Sequence, residues 1–102
     1  MNISKILTDI GFDEFISFDL ETTGLDSNNN EIIEIAAVKF KGGEYHSEFS
    51  TLVKPKIEIP KSITKITNIT NSMVSNAPFI EEVLDDFINF VNHGNLIAHN
   101  ID

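Results

Sequence analysis

The chain has 102 residues, with 16 acidic and 7 basic side chains and a net charge of −9. That length suits a single domain, and 41% apolar residues argue against disorder. Cysteine is absent, which excludes disulfides, zinc–thiolate centres and thiol nucleophiles. No apolar run reaches the roughly 18 residues of a membrane span, and the amino-terminal M-N-I-S-K-I-L-T-D-I lacks a signal-peptide pattern. A cytoplasmic location with no membrane partner is the expectation.

The acidity weighs against nucleic acid, because polyanion binding relies on Lys and Arg. All 7 basic residues are Lys, so the bidentate contacts that Arg makes to phosphate or guanine are missing.

Residues 1–13 are weakly patterned and are expected to form an arm or a short helix. The run F-I-S-F-D-L at 15–20 predicts a strand, and T-T-G-L-D-S-N-N-N-E supplies turn residues after it. The asparagine run at 28–30 is read only as loop. Residues 31–41 are apolar at almost every position, which predicts a strand covered on both faces. Gly42-Gly43 predicts a tight hairpin. The return strand follows at 44–53, with Tyr45, Ser47, Phe49 and Thr51 on one side. Pro55 and Pro60 bracket an extended connection.

Residues 61–67 predict one or two helical turns closed by a left-handed Asn68. The clearest helix is predicted at 78–91. Ile80, Val83, Leu84, Phe87, Ile88 and Val91 form its apolar stripe, and Glu81, Glu82, Asp85 and Asp86 its solvated face. Asn76 is the candidate cap, Pro78 suits the first turn, and Gly94 is the expected stop. A last strand is predicted at 95–99. The resulting fold class is α/β. Three antiparallel strands precede a crossover helix that returns a fourth strand parallel to the first.

Residues two apart on a strand share a face. Asp19 and Glu21 therefore stand side by side, while Leu20 points into the core. Two carboxylates on one face are costly unless something positive lies between them. A hard divalent cation, Mg²⁺ or Mn²⁺, suits such oxygen donors. A bare D-x-E pair is more often an idle strand end. The small, polar Thr22-Thr23-Gly24 after it shifts the balance, because Gly24 lets the backbone approach a ligand closely.

F-D-L-E-T-T-G-L, residues 18–25, resembles the first motif of the DnaQ-like (DEDDh) exonucleases, which have a ribonuclease H-like fold. The likeness continues in order through N-N-E-I-I-E-I-A-A-V-K-F, P-K-S-I-T-K-I-T-N-I-T, N-A-P-F-I-E-E-V-L and L-I-A-H-N, and so covers residues 14–102. It implies a 3′–5′ exonuclease of the DNA proofreading or repair type that uses two divalent ions. It further implies that Asp19 and Glu21 are catalytic metal ligands. Thr22, Thr23 and Gly24 match the element that holds the 3′-terminal nucleotide, Leu25 the residue that packs by the terminal base, and Asn100 a position near the substrate. Single-stranded DNA is favoured over RNA, and a polymerase or helicase is an implied partner.

The family's second motif reads H-N-x-x-F-D, and this chain stops at its two variable positions. Asp102 is not the family's aspartate, and the third motif, with the general-base His, is absent. The resemblance thus implies the amino-terminal portion of an exonuclease domain, with two of four metal carboxylates. The alternative is a non-catalytic relative that binds a metal or a partner. Either way the truncated sheet predicts an open edge and self-association. Outside the motifs, His46 and His93 read as structural or solvated. Glu34 is open between a place behind the metal ligands, a sheet edge and a helix cap. Lys54, Lys56, Lys61 and Lys65 form the one basic cluster.

Overall fold

A computed structural model describes residues 14–24, 29–92 and 95–99, the last stretch as backbone together with the Leu96 side chain. The expected arm at 1–13, and Leu25, His93, Gly94 and Asn100, lie outside the described residues.

Among the described residues, four strands form one sheet in the order β3-β2-β1-β4. They are β1 (Glu14–Thr22), β2 (Ile32–Lys41), β3 (Glu44–Leu52) and β4 (Asn95–His99). β1–β2 and β2–β3 are antiparallel, and β4 runs parallel to β1 from Phe15↔Asn95 to Asp19↔His99. The β2–β3 turn has Gly42 at φ 60° and Gly43 at φ 81°, a conformation that a side chain would oppose.

Burial on β2 alternates, contrary to the expectation of two covered faces. Ile33, Ile35 and Ala37 are at most 2% exposed, whereas Ile32, Glu34, Ala36 and Val38 are only partly covered. The buried helix residues pack chiefly against the first set, with Ile32 at the margin of the same cluster. Ile33 packs with Ile59, Ile69 and Val74, and Ile35 with Val53 and Val83. A strand covered mainly on one face shows this period-two pattern.

Among the described residues, three helices follow β3: α1 (Lys61–Thr67), α2 (Asn71–Val74) and α3 (Ile80–Val91). Asn68 closes α1 at φ 63°, its N–H donating to the Thr64 carbonyl. The short α2 was not expected. Its signal is Thr70, whose hydroxyl accepts the Met73 N–H at 3.1 Å, as an N-cap does.

The start, end and stripe of α3 differ from expectation. Phe79 is its N-cap, and no side chain caps it, so Asn76 is not the cap. Pro78 stays outside the helix because its carbonyl accepts the Lys54 N–H at 2.8 Å. The helix ends on left-handed Asn92, φ 38°, before Gly94 is reached. Leu84 and Ile88, expected in the core, are 47% and 57% exposed. The aromatic rings decide the rotation. Phe87 meets Phe18 and Phe49 at 6.0 and 5.9 Å, and Phe90 meets Phe49 at 5.8 Å, distances at which rings attract edge-on or tilted. No helix among the described residues is long and apolar enough to cross a membrane.

The packing predicts a contrast between two isoleucines. Ile33→Val should cost about 0.5–1.5 kcal/mol by loss of a fully buried methyl group. Ile66→Ala, at a residue 77% exposed, should stay within about 0.5 kcal/mol of the parent chain. Urea unfolding of both variants checks the pair.

Candidate active site

Asp19 and Glu21 share one face of β1, and Leu20 lies on the other against the Ile35, Val53 and Val83 cluster. Asp19 is exposed and Glu21 partly buried. Directly across from Glu21 on β2 sits Glu34. Partial burial raises the Glu34 pKa above the ordinary glutamate value, and the nearby Glu21 charge raises it further. The sheet order excludes one of the three readings of Glu34, the sheet edge. Glu34 lies on inner strand β2, opposite Glu21.

The backbone changes course immediately after Glu21. Glu21 pairs with Glu34, but Thr22 pairs with Ile32, so the ladder skips Ile33. Such an irregularity bends a strand and re-aims its side chains. The Ile33 carbonyl accepts the Val53 N–H instead, at 2.8 Å. Beyond the skip, the Thr22 hydroxyl donates to the Gly24 carbonyl at 2.6 Å. Thr23 is the one buried polar residue among those described, at 2% exposure. Its N–H donates to the Glu31 carbonyl at 2.9 Å. Its hydroxyl accepts the Glu31 N–H at 2.9 Å and donates to Asn30 Oδ1 at 3.2 Å. The N–H and the hydroxyl of buried Thr23 are thereby satisfied.

Glu31 also faces away from the turn. Its carboxylate accepts the Lys56 N–H at 3.1 and 3.0 Å. The Lys56 ammonium pairs with Glu81 in the first turn of α3 at 3.1 Å; a backbone hydrogen bond first, and Lys56 after it, hold the Glu81 carboxyl below its usual range.

The donor chemistry fits a hard cation: carboxylate oxygens, negative charge, and a like-charge neighbour that a cation would relieve. It is a partial set. Among the described residues, no group of three or more His, Cys, Asp or Glu stands close enough to hold a metal ion. Thr22, Thr23 and Gly24 follow the carboxylates directly, while Leu25 and Asn100 lie outside the described residues. His46 is exposed, with Nδ1 3.0 Å from Ser47 Oγ. Of the basic cluster, Lys56 is engaged by Glu81 and Lys54 lies 5.5 Å over the Phe79 ring. Asn30 and Glu31 were missed by motif reading, since their partners are set by the fold.

Comparison with known proteins gives a consistent set of likenesses. The family profile RNase_T, described as "Exonuclease", matches residues 16–102. DNA polymerase III PolC-type of Clostridium perfringens is 53% identical over 88 residues, which are 86% of this chain and 6% of that protein. DNA polymerase III subunit epsilon of Aquifex aeolicus is 44% identical over 88 residues, or 86% of this chain and 44% of that one. Among solved structures, Exonuclease X in complex with 5′ overhanging duplex DNA superposes with a TM-score of 0.70 at 33% identity, covering 84% of this chain and 48% of that one. The architecture described above is thus a partial ribonuclease H-like exonuclease fold.

The raised Glu34 pKa sets a pH signature. A neutral Glu34 suits the folded chain, so its contribution is intact below the ordinary glutamate range and is lost as pH rises through the raised value. Glu34→Gln should therefore stabilise the chain at neutral pH by roughly 0.2–1 kcal/mol, the scale of an opposed like-charge pair on a sheet. The gain should vanish at about pH 3, where the carboxyl is protonated in both states. Urea unfolding at the two pH values measures it, and an equal gain at both would contradict the assignment.

Proposed function

The chain belongs to the RNase_T exonuclease family, and from that premise we propose that it forms the amino-terminal portion of a 3′–5′ exonuclease domain acting on DNA 3′ ends. One observation carries the reading. Asp19 and Glu21 project from one face of an inner strand, and the Thr22-Thr23-Gly24 turn begins at the next residue. The DNA preference is supported by the polymerase III relatives and by the DNA complex of Exonuclease X. The chain spans only 6% and 44% of the two polymerase III relatives, so the activity of a whole protein is part of this proposal.

In this reading Asp19 and Glu21 would hold Mg²⁺ or Mn²⁺, with two ions in a complete domain. The metal, when bound, supplies positive charge and Lewis acidity for phosphodiester hydrolysis. The chain's own residues orient and bind. Thr22 and Gly24 shape the turn that receives the 3′-terminal nucleotide. Thr23 holds that turn to the start of β2 from inside, Leu25 packs by the terminal base, and Asn100 lies near the substrate. Local cation binding also answers the objection raised by the net charge of −9, because it offers the phosphate a positive partner that Lys and Arg do not provide.

A second reading, a non-catalytic metal- or partner-binding module, is favoured by the partial donor set. Two measurements separate them. Mn²⁺ should raise the thermal midpoint of this chain, and Asp19→Ala should abolish the rise; no rise in the parent chain removes the metal-ligand assignment. In the full natural protein, 3′-labelled single-stranded DNA should be degraded in Mn²⁺ faster than RNA, with Asp19→Ala slower by at least about a hundredfold. A parent protein inactive on both substrates would leave the module reading standing.

A further inference from the structure

Gly24 is not at a positive φ; the positive-φ glycines among the described residues are Gly42 and Gly43. Its lack of a side chain has a different cause. A Cβ at position 24 would lie 2.9 Å from Asn30 Nδ2, 3.0 Å from Asn30 Oδ1 and 3.1 Å from Asn30 Cγ. The Asn30 amide thus occupies the space beside the Gly24 backbone. The same Oδ1 accepts the hydroxyl of buried Thr23 at 3.2 Å. One side chain therefore contacts two of the three residues of the turn. The next residue is anchored independently. Glu31 exchanges backbone and side-chain hydrogen bonds with Thr23 and binds the Lys56 N–H through its carboxylate. Asn30 is held between these two fixed points.

We infer that Asn30 is a positioning residue for the nucleotide-binding turn, setting the conformation of Thr22-Thr23-Gly24 by filling the space beside Gly24 and accepting the Thr23 hydroxyl. The inference deepens the nucleotide-binding reading above and rests on it. Asn30 touches no substrate in this scheme; it acts through Thr23 and Gly24. An alanine at 30 leaves the space beside Gly24 empty and the Thr23 hydroxyl without that acceptor. An alanine at 24 would press on the end of the Asn30 side chain, which must shift and so loosens the same contact from the other side. The two changes break one interaction, so their effects should not add. Asn30→Asp keeps an oxygen acceptor of the same reach.

The test compares the parent chain with Asn30→Ala, Gly24→Ala, the double variant and Asn30→Asp. Amide hydrogen exchange is read at Thr23 and Glu31, and dTMP is titrated in Mg²⁺ by amide chemical shifts. Exchange in the β2–β3 hairpin reports that each variant is folded. In Asn30→Ala, exchange at Thr23 and Glu31 should rise by about tenfold and dTMP affinity fall by about tenfold, the scale of one lost hydrogen bond. Gly24→Ala should match it, the double variant should be no worse, and Asn30→Asp should return to within about threefold of the parent. Exchange within about twofold of the parent in Asn30→Ala, additive losses in the double variant, or faster exchange with unchanged dTMP affinity would each overturn the inference. Absence of dTMP binding by the parent would overturn the nucleotide reading itself, while the exchange rates would still decide whether Asn30 sets the turn.

Discussion

The ladder between β1 and β2 skips Ile33, and the candidate site depends on that skip. Before it, regular antiparallel pairing sets Glu21 opposite Glu34 and leaves Asp19 and Glu21 on one face. After it, Thr22 meets Ile32, and Thr23 swings into the interior against Asn30 and Glu31. Without the skip, Thr22 would face Ile33, and the residues of β2 that precede it would meet β1 one place out of their observed register. The skipped residue is itself well anchored. Ile33 is fully buried among Ile59, Ile69 and Val74, and its carbonyl takes the Val53 N–H. Core packing thus holds the irregularity that the polar turn requires.

This arrangement divides the chemistry between two kinds of residue. The carboxylates stay accessible and carry unrelieved like charge, which favours a cation. The turn beside them is hydrogen-bonded inward, with Thr23 buried and satisfied. Charge is left for a ligand, and shape is supplied by the protein. Under the proposed reading, the hydrogen-bonded turn would be preorganised for a nucleotide and the carboxylates left for a metal.

Much of the fold was legible from short-range signals. The D-x-E spacing put Asp19 and Glu21 on one face because strand alternation is local. Asn68 was legible as a left-handed stop, and Gly42-Gly43 as a hairpin, because both are backbone requirements of single positions. The features that escaped are those decided by distant partners. Leu84 and Ile88 fit an amphipathic stripe, but the contacts of Phe87 and Phe90 with Phe18 and Phe49 turn α3 away from them. Pro78 looked like a first-turn residue, but its carbonyl is taken by Lys54. In the asparagine run, nothing local separates Asn30 from its neighbours. Its role exists only because Thr23 and Gly24 are brought back beside it.

Lys56 has a consequence for the order in which the molecule assembles. Its N–H meets Glu31 and its ammonium meets Glu81, each 25 residues away along the chain. Both contacts close long loops, whose entropy must be lost before either bond forms. The β2–β3 hairpin, closed by Gly42-Gly43, carries no such burden. Contact order alone favours closing the hairpin before the contacts at Lys56. The Glu31 carboxylate, and with it the edge of the candidate site, is thus tied to the chain leaving β3 through the Lys56 backbone, while the Lys56 side chain reaches on to the first turn of α3.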